Sequence, residues 1–209
     1  MKTILVANSK GGSGKTMTAI TLASAIRASG ARVTLADGDP QRSARTWAKR
    51  RSPYAARIQC VKWLSGDAPE FVPAKTDWLI IDSAAGLSGA RASAMIGLAN
   101  YLVTPVMASV FDELAARKFL RNLSSIKRLK KGKVEVLPVA SRADLRRKDT
   151  VSLAEFMKAN GFPLVATISE RAAYVELARE GLSVFDRTQA PFRKMQAQWA
   201  PLLTRLGIQ

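Results

Sequence analysis

The stretch "ANSKGGSGKTMT", residues 7–18, decides how the rest of the chain is read. It follows a short apolar run, "TILVA" (3–7). It precedes a segment whose Ile20, Ala23 and Ile26 recur at helical spacing, with Gly30 as a C-terminal stop. A strand, a glycine loop and a helix, in that order, are the parts of a phosphate site. Gly11, Gly12 and Gly14 let the backbone turn tightly and aim N–H groups at phosphate oxygens, and the helix adds its positive N-terminal end. Lys15 offers a point charge to the β- and γ-phosphates, and Thr16 a hydroxyl for Mg2+. The candidate nucleotide contacts are therefore Gly11, Gly12, Ser13, Gly14, Lys15, Thr16 and Met17. Two residues depart from the usual G-x-x-x-x-G-K-[ST] loop. Ser9 replaces its first glycine, which fits if the backbone stays at negative φ, and Lys10 adds a second lysine.

Hydrolysis needs acids around the metal and the water, placed at the carboxyl ends of strands. Asp82 ends the apolar run "DWLIID" (77–82) and is the natural outer-shell Mg2+ acid. Asp37 and Asp39 follow "RVTLA" (32–36), with Pro40 fixing the turn. One of the pair can hold the metal's water shell while the other orients the attacking water. Alternatively they form the turn and cap the next helix.

Further apolar runs at 101–107, 134–140 and 163–169 alternate with helical stretches. Continuous apolar strands between helices imply βαβ units. The expected fold is α/β: a single-domain P-loop NTPase over residues 1–209, with a doubly wound, mostly parallel sheet and helices on both faces. No apolar run is long enough for a transmembrane segment, and the N-terminal one is too short for a signal peptide, so a cytoplasmic location is expected. There is no histidine and one cysteine, Cys60. That excludes Cys/His or Ser/His nucleophilic sites, a usual zinc cage and a shared iron–sulfur cluster. With 33 Lys+Arg against 16 Asp+Glu the net charge is +17, which favours a polyanionic partner, nucleic acid before an anionic membrane surface.

"KGGSGKT" (10–16), "DGDPQ" (37–41) and "IIDSAAG" (80–86), in that order and spacing, resemble the deviant Walker-A ATPases of the ParA/MinD superfamily. The chain is most similar to small ParA proteins lacking an N-terminal helix-turn-helix domain, the ParF-like type. The similarity continues through 43–50, 101–112 and 169–186. The resemblance implies ATP and Mg2+ bound in a homodimer, with Lys10 reaching the partner's nucleotide. It makes Lys10, Asp39 and Asp82 the catalytic candidates and Thr16, Asp39 and Asp82 the metal candidates. It further implies non-specific DNA binding by the ATP dimer, a nucleoid-associated location, and a ParB-like or cargo adaptor protein that stimulates hydrolysis, so that a plasmid, chromosome region or protein complex is segregated or positioned. The resemblance also places Asp39 and Asp82 in two switch regions; Met17 and "DSAAG" depart from the family pattern, and the Ala84–Ala85 pair bears on how the second of those regions moves.

Between Arg117 and Lys148 there are twelve basic residues and two acidic ones, Glu135 and Asp144. On a helix running through 113–131, Arg117, Arg121 and Arg128 would share one face. With Lys127, Arg146 and Arg147 they are the candidate DNA contacts, reading no sequence and acting through phosphate. "QRSARTWAKRR" (41–51) adds five positive charges. Two rivals remain: a MinD-like membrane-positioning ATPase with an amphipathic C-terminal helix, and a metabolic phosphotransferase on the same loop. Pro201 interrupts the C-terminal apolar pattern, and packing as the last helix explains that pattern better.

Overall fold

In the computed structural model, which describes residues 1–63, 69 and 71–208, the strand before the glycine loop lies at the centre of the sheet. The strands are β1 (Lys2–Val6), β2 (Val33–Gly38), β3 (Gln59–Lys62), β4 (Trp78–Ser83), β5 (Tyr101–Val106), β6 (Glu135–Ala143) and β7 (Ala166–Ser169). They form one sheet in the order β3-β2-β4-β1-β5-β6-β7, and every pairing is parallel.

The alternation of side chains explains why the strands read as nearly unbroken apolar runs. Ile4, Val6, Val33, Leu35 and Ile80 face one layer, while Leu5, Ala36, Leu79 and Ile81 face the other. The first layer holds α1 (Lys15–Ala28), α2 (Ser43–Arg50), α7 (Ala172–Arg179), α8 (Ala190–Ala197) and α9 (Ala200–Leu206). The second holds α3 (Gly89–Leu98), α4 (Val110–Ser124) and α6 (Lys148–Ala159). A four-residue helix, α5 (Lys127–Lys130), follows α4.

Parallel register brings the carboxyl ends level with one another. Asp37 pairs with Asp82 across β2 and β4, and Val6 pairs with Asp82 across β1 and β4. Three strands therefore deliver the glycine loop and both acid-bearing turns to one edge.

One expectation needs correction, and another holds with a refinement. The basic helix does not run through 113–131: Ser124 and Ser125 donate back to the carbonyls of Arg121 and Asn122, and Ile126 is extended. Arg128 therefore sits on α5 and shares no helical face with Arg117 and Arg121. The C-terminal segment is two short helices, with Pro201 in the first turn of α9. Met195, Trp199, Leu202 and Leu206 are buried in the first core layer.

The β2–α2 region is tied to the segment after α7 by a buried ion pair. Arg51 and Asp186 are 2.7 Å apart with side chains 5% and 10% exposed, and Arg51 lies over the Trp47 ring. Removing one partner strands the other charge, so Asp186→Ala is expected to lower stability by about 3–5 kcal/mol in chemical denaturation.

Candidate functional site: a nucleotide-binding cleft

The glycine loop is held in shape before any ligand contacts it. Gly12 and Gly14 have φ of +77° and +88°, and no residue of the loop other than glycine has positive φ. Ser9 thus meets the condition its side chain imposes. Its carbonyl accepts the Gly86 N–H at 2.9 Å, which links the loop to the segment after Asp82. Asn8, fully buried, donates to the Pro105 carbonyl and accepts the Lys10 N–H. Ser13, also buried, has its carbonyl held by the Ser141 hydroxyl at 2.8 Å. Ser141 and Asn8 are scaffold residues that no motif announces.

Lys15, 6% exposed, reaches back to the Lys10 carbonyl at 2.7 Å. Burial lowers its pKa, and the charges of Asp82 and Asp39 oppose that shift. The ammonium is stored on a neutral carbonyl beside the place where phosphates would lie, in a position to exchange one oxygen for others.

The acids divide in a way the sequence left open. Asp37, 1% exposed, accepts the N–H of Asp39 at 3.1 Å and of Arg45 at 2.8 Å. It is a clasp for the turn and the start of α2, so the capping alternative holds for Asp37. Asp39 is half-buried, its Oδ1 accepts the Gln41 N–H, and it lines the cleft. Asp82 is wholly buried and neither carboxylate oxygen has a hydrogen-bond partner of normal geometry, although the facing Thr16 hydroxyl is near enough to draw its pKa down. Burial dominates and, with repulsion from Asp37 and Asp39, pushes the carboxyl up to about 7.

Such an orphaned carboxylate beside a threonine hydroxyl fits a hydrated divalent cation. Thr16 would hold Mg2+ and Asp82 its water shell, and the ion would neutralise phosphate charge. The folded, metal-free protein binds a proton at Asp82 that the unfolded chain releases near pH 4. This group's contribution to stability therefore falls as pH rises from about 4 to about 7. Binding of Mg2+ and nucleotide should expel that proton. Calorimetry near pH 6.5 in buffers of different ionisation enthalpy is expected to show proton release in the wild type and less in Asp82→Asn.

The cleft encloses about 810 Å3. Gly11, Gly12, Gly14, Lys15, Thr16, Met17 and Asp39 line it, with Ala84 and Ala85. Arg142, Ile168, Glu170 and Tyr174 also line it, and Arg142 and Glu170 pair at 2.6 Å. No motif in the sequence announced these four residues. Met17 is half-buried, packed on the core as well as lining the cleft.

Lys10 does not line this cleft. Its Nζ lies 3.1 Å from Asp112 in the first turn of α4, where Ser109 caps the helix and also bonds the Asp112 carboxylate. Asp112 was missed in the sequence because an acid after an N-cap serine reads as ordinary helix capping.

Residues 4–184 match the CobQ/CobB/MinD/ParA nucleotide binding domain. The chain belongs to this family. It is a ParA/MinD-type ATPase that uses ATP and Mg2+. Among relatives of this ParA/MinD chain, the maintenance of carboxysome distribution protein A of Gloeobacter kilaueensis is 30% identical, over 95% of this chain and 90% of that one. McdA of Cyanothece in an ATP complex superposes with a TM-score of 0.76 at 19% identity, covering 100% and 97% of the two chains. A Borrelia burgdorferi plasmid partition protein bound to AMPPNP gives 0.74 at 18% identity, covering 98% and 99%.

The six candidate DNA contacts differ in what they touch. Arg128 donates to the Ala99 carbonyl and Arg117 lies over the Phe156 ring, and both are half-buried. Arg146 pairs with Asp144 and Arg147 with Asp149, both exposed, while Arg121 and Lys127 are exposed. A second basic feature is a cleft of about 570 Å3 lined by Arg45, Lys49 and Arg57, with the paired Arg51. Tyr54, 99% exposed, lies on the same loop.

Proposed function

We propose that this ATPase is an ATP-gated homodimer that binds duplex DNA without reading its sequence and positions a cargo over it. A ParB-like or cargo adaptor protein triggers hydrolysis and release. The observation that carries this reading is the placement of Lys10. Its ammonium is held at the rim by Asp112, outside its own nucleotide cleft, where a facing subunit could take it up. Beside it Val110 and Phe111 are 66% and 76% exposed, an apolar surface that a second copy would cover. Asp39 orients the attacking water, since Asp37 is committed to the turn and Asp82 to the metal.

The +17 charge supports DNA as the polyanion, and the Arg45–Lys49–Arg57 cleft gathers three cations, of which Arg45 also faces the Asp37 carboxylate. The carboxysome-distribution name carried by the relatives supports a protein assembly as cargo. The rival membrane reading loses its apolar face, because Trp199, Leu202 and Leu206 are in the core. Among the described residues no helix is long and apolar enough to cross a membrane. Fluorescence anisotropy with duplexes of unrelated sequence tests the DNA reading. Binding should need ATP, ignore sequence and weaken steeply with salt, the slope falling by about one for each phosphate contact removed. Equal binding without nucleotide would overturn it.

A further inference from the structure

The peptide unit that carries Asp39 is held from both sides. Its N–H donates to Asp37 Oδ1 at 3.1 Å. Its carbonyl, that of Gly38, accepts from Arg91 Nη2 at 2.9 Å. The same nitrogen reaches the Trp63 carbonyl at the end of β3 at 2.7 Å. Arg91 lies in the first turn of α3, the helix that follows the segment after Asp82. That segment is bonded to the glycine loop through Gly86 N–H and the Ser9 carbonyl.

Packing leaves little slack at this junction. A Cβ on Gly38 would stand 3.0 Å from the Asp82 carbonyl and 3.0 Å from Met95 Cε on α3. The end of β2, the end of β4 and α3 therefore pack closely together, with the Arg91 guanidinium closing the group. A displacement of α3 would be passed to the peptide that aims Asp39, since the bond joins them directly.

We infer that Arg91 is a positioning residue for Asp39, coupling the segment after Asp82 to the turn that orients the attacking water. Arg91 does not line the nucleotide cleft; through the Gly38 carbonyl it fixes the backbone from which Asp39's carboxylate projects. The inference rests on the proposed role of Asp39. Both bonds leave from one nitrogen, so a lysine ammonium brought to the same place could make them in part. Nothing in the Walker-type motifs marks this position.

The test uses the full chain and four variants: Arg91→Met, Arg91→Lys, Asp39→Asn and the Arg91→Met/Asp39→Asn double. In nucleotide-free protein, NMR-detected hydrogen exchange at the Asp39 amide should speed up by about tenfold in Arg91→Met while Ile80 and Ile81 of β4 keep their protection. For ATP hydrolysis, Arg91→Met should lose about tenfold in kcat with KM within about threefold, and Arg91→Lys should recover part of the loss. On the Asp39→Asn background, Arg91→Met should cause no further loss, because both changes disable one unit.

Wild-type kcat in Arg91→Met, or a full additional loss in the double variant, would overturn the inference. So would loss of β4 protection in both Arg91 variants, which would make Arg91 a general structural strut. If Asp39→Asn hydrolyses ATP normally, the role of Asp39 fails and takes the inference with it. If Asp39→Asn is inactive while Arg91→Met is normal, only the coupling fails.

Discussion

Lys15→Ala is expected to weaken ATP binding by about 100-fold. The buried ammonium would give up the Lys10 carbonyl for phosphate oxygens, and each such charged hydrogen bond contributes about 1.5–3 kcal/mol. The cost does not stop at the lost contact. Lys15 is also a positive charge that holds the Asp82 pKa down, so its removal should push that carboxyl further toward the protonated form and impair metal binding as well. Titration with a fluorescent ATP analogue measures the effect, and it should be accompanied by loss of ATP-dependent DNA binding. Affinity within about threefold of the wild type would mean that the loop's backbone N–H groups, not the lysine, dominate phosphate binding.

Lys10→Ala is expected to behave differently. Lys10 is outside its own cleft and 39% exposed, so nucleotide binding by the separate chain should stay within about threefold of wild type. Assembly with ATP should weaken by about 100-fold, because in a closed, dry interface a lysine–phosphate contact is no longer screened by water. Asp112→Asn separates two uses of the same charge. If Asp112 only stores Lys10, that variant should dimerise at lower protein concentration than the wild type. Light scattering at several protein concentrations with a slowly hydrolysed ATP analogue reads both outcomes. A Lys10→Ala protein that assembles normally would remove the reason for a facing subunit.

Much of this arrangement is legible in the sequence, for identifiable reasons. The central strands are buried on both faces, so their residues had to be apolar without interruption, and β1, β2, β4 and β5 stand out. The glycine loop is equally visible, since few other residues tolerate the φ of Gly12 and Gly14. Edge strand β3 was missed because "QCVK" is only partly buried and carries no apolar run. The helix break at Ser124–Ser125 was missed because two side-chain hydrogen bonds, rather than a glycine or proline, end α4.

The site divides along similar lines. Asp82 was readable from its place at the end of a buried strand, whereas Asp37 and Asp39 could not be told apart. Which of them turns inward depends on the N–H groups of residues 39 and 45, a matter of three-dimensional closure. Asp112, Arg91 and the Arg142–Glu170 pair lie far along the chain from the loop they serve. They meet it only through the parallel stacking of strands and helices. Surface charge was legible in amount but not in placement: that Arg117 lies over an aromatic ring and Arg128 donates to a carbonyl depends on how the helices pack.

The central claim is that ATP joins two copies of this chain across the Lys10 rim. Sedimentation equilibrium of the purified protein with Mg2+ and a slowly hydrolysed ATP analogue tests it most directly. The expected mass is the monomer's 22.7 kDa without nucleotide and twice that with it, the shift absent in Lys10→Ala. A mass that stays at the monomer value when the nucleotide site is saturated, or a dimer of equal strength without nucleotide, would contradict it.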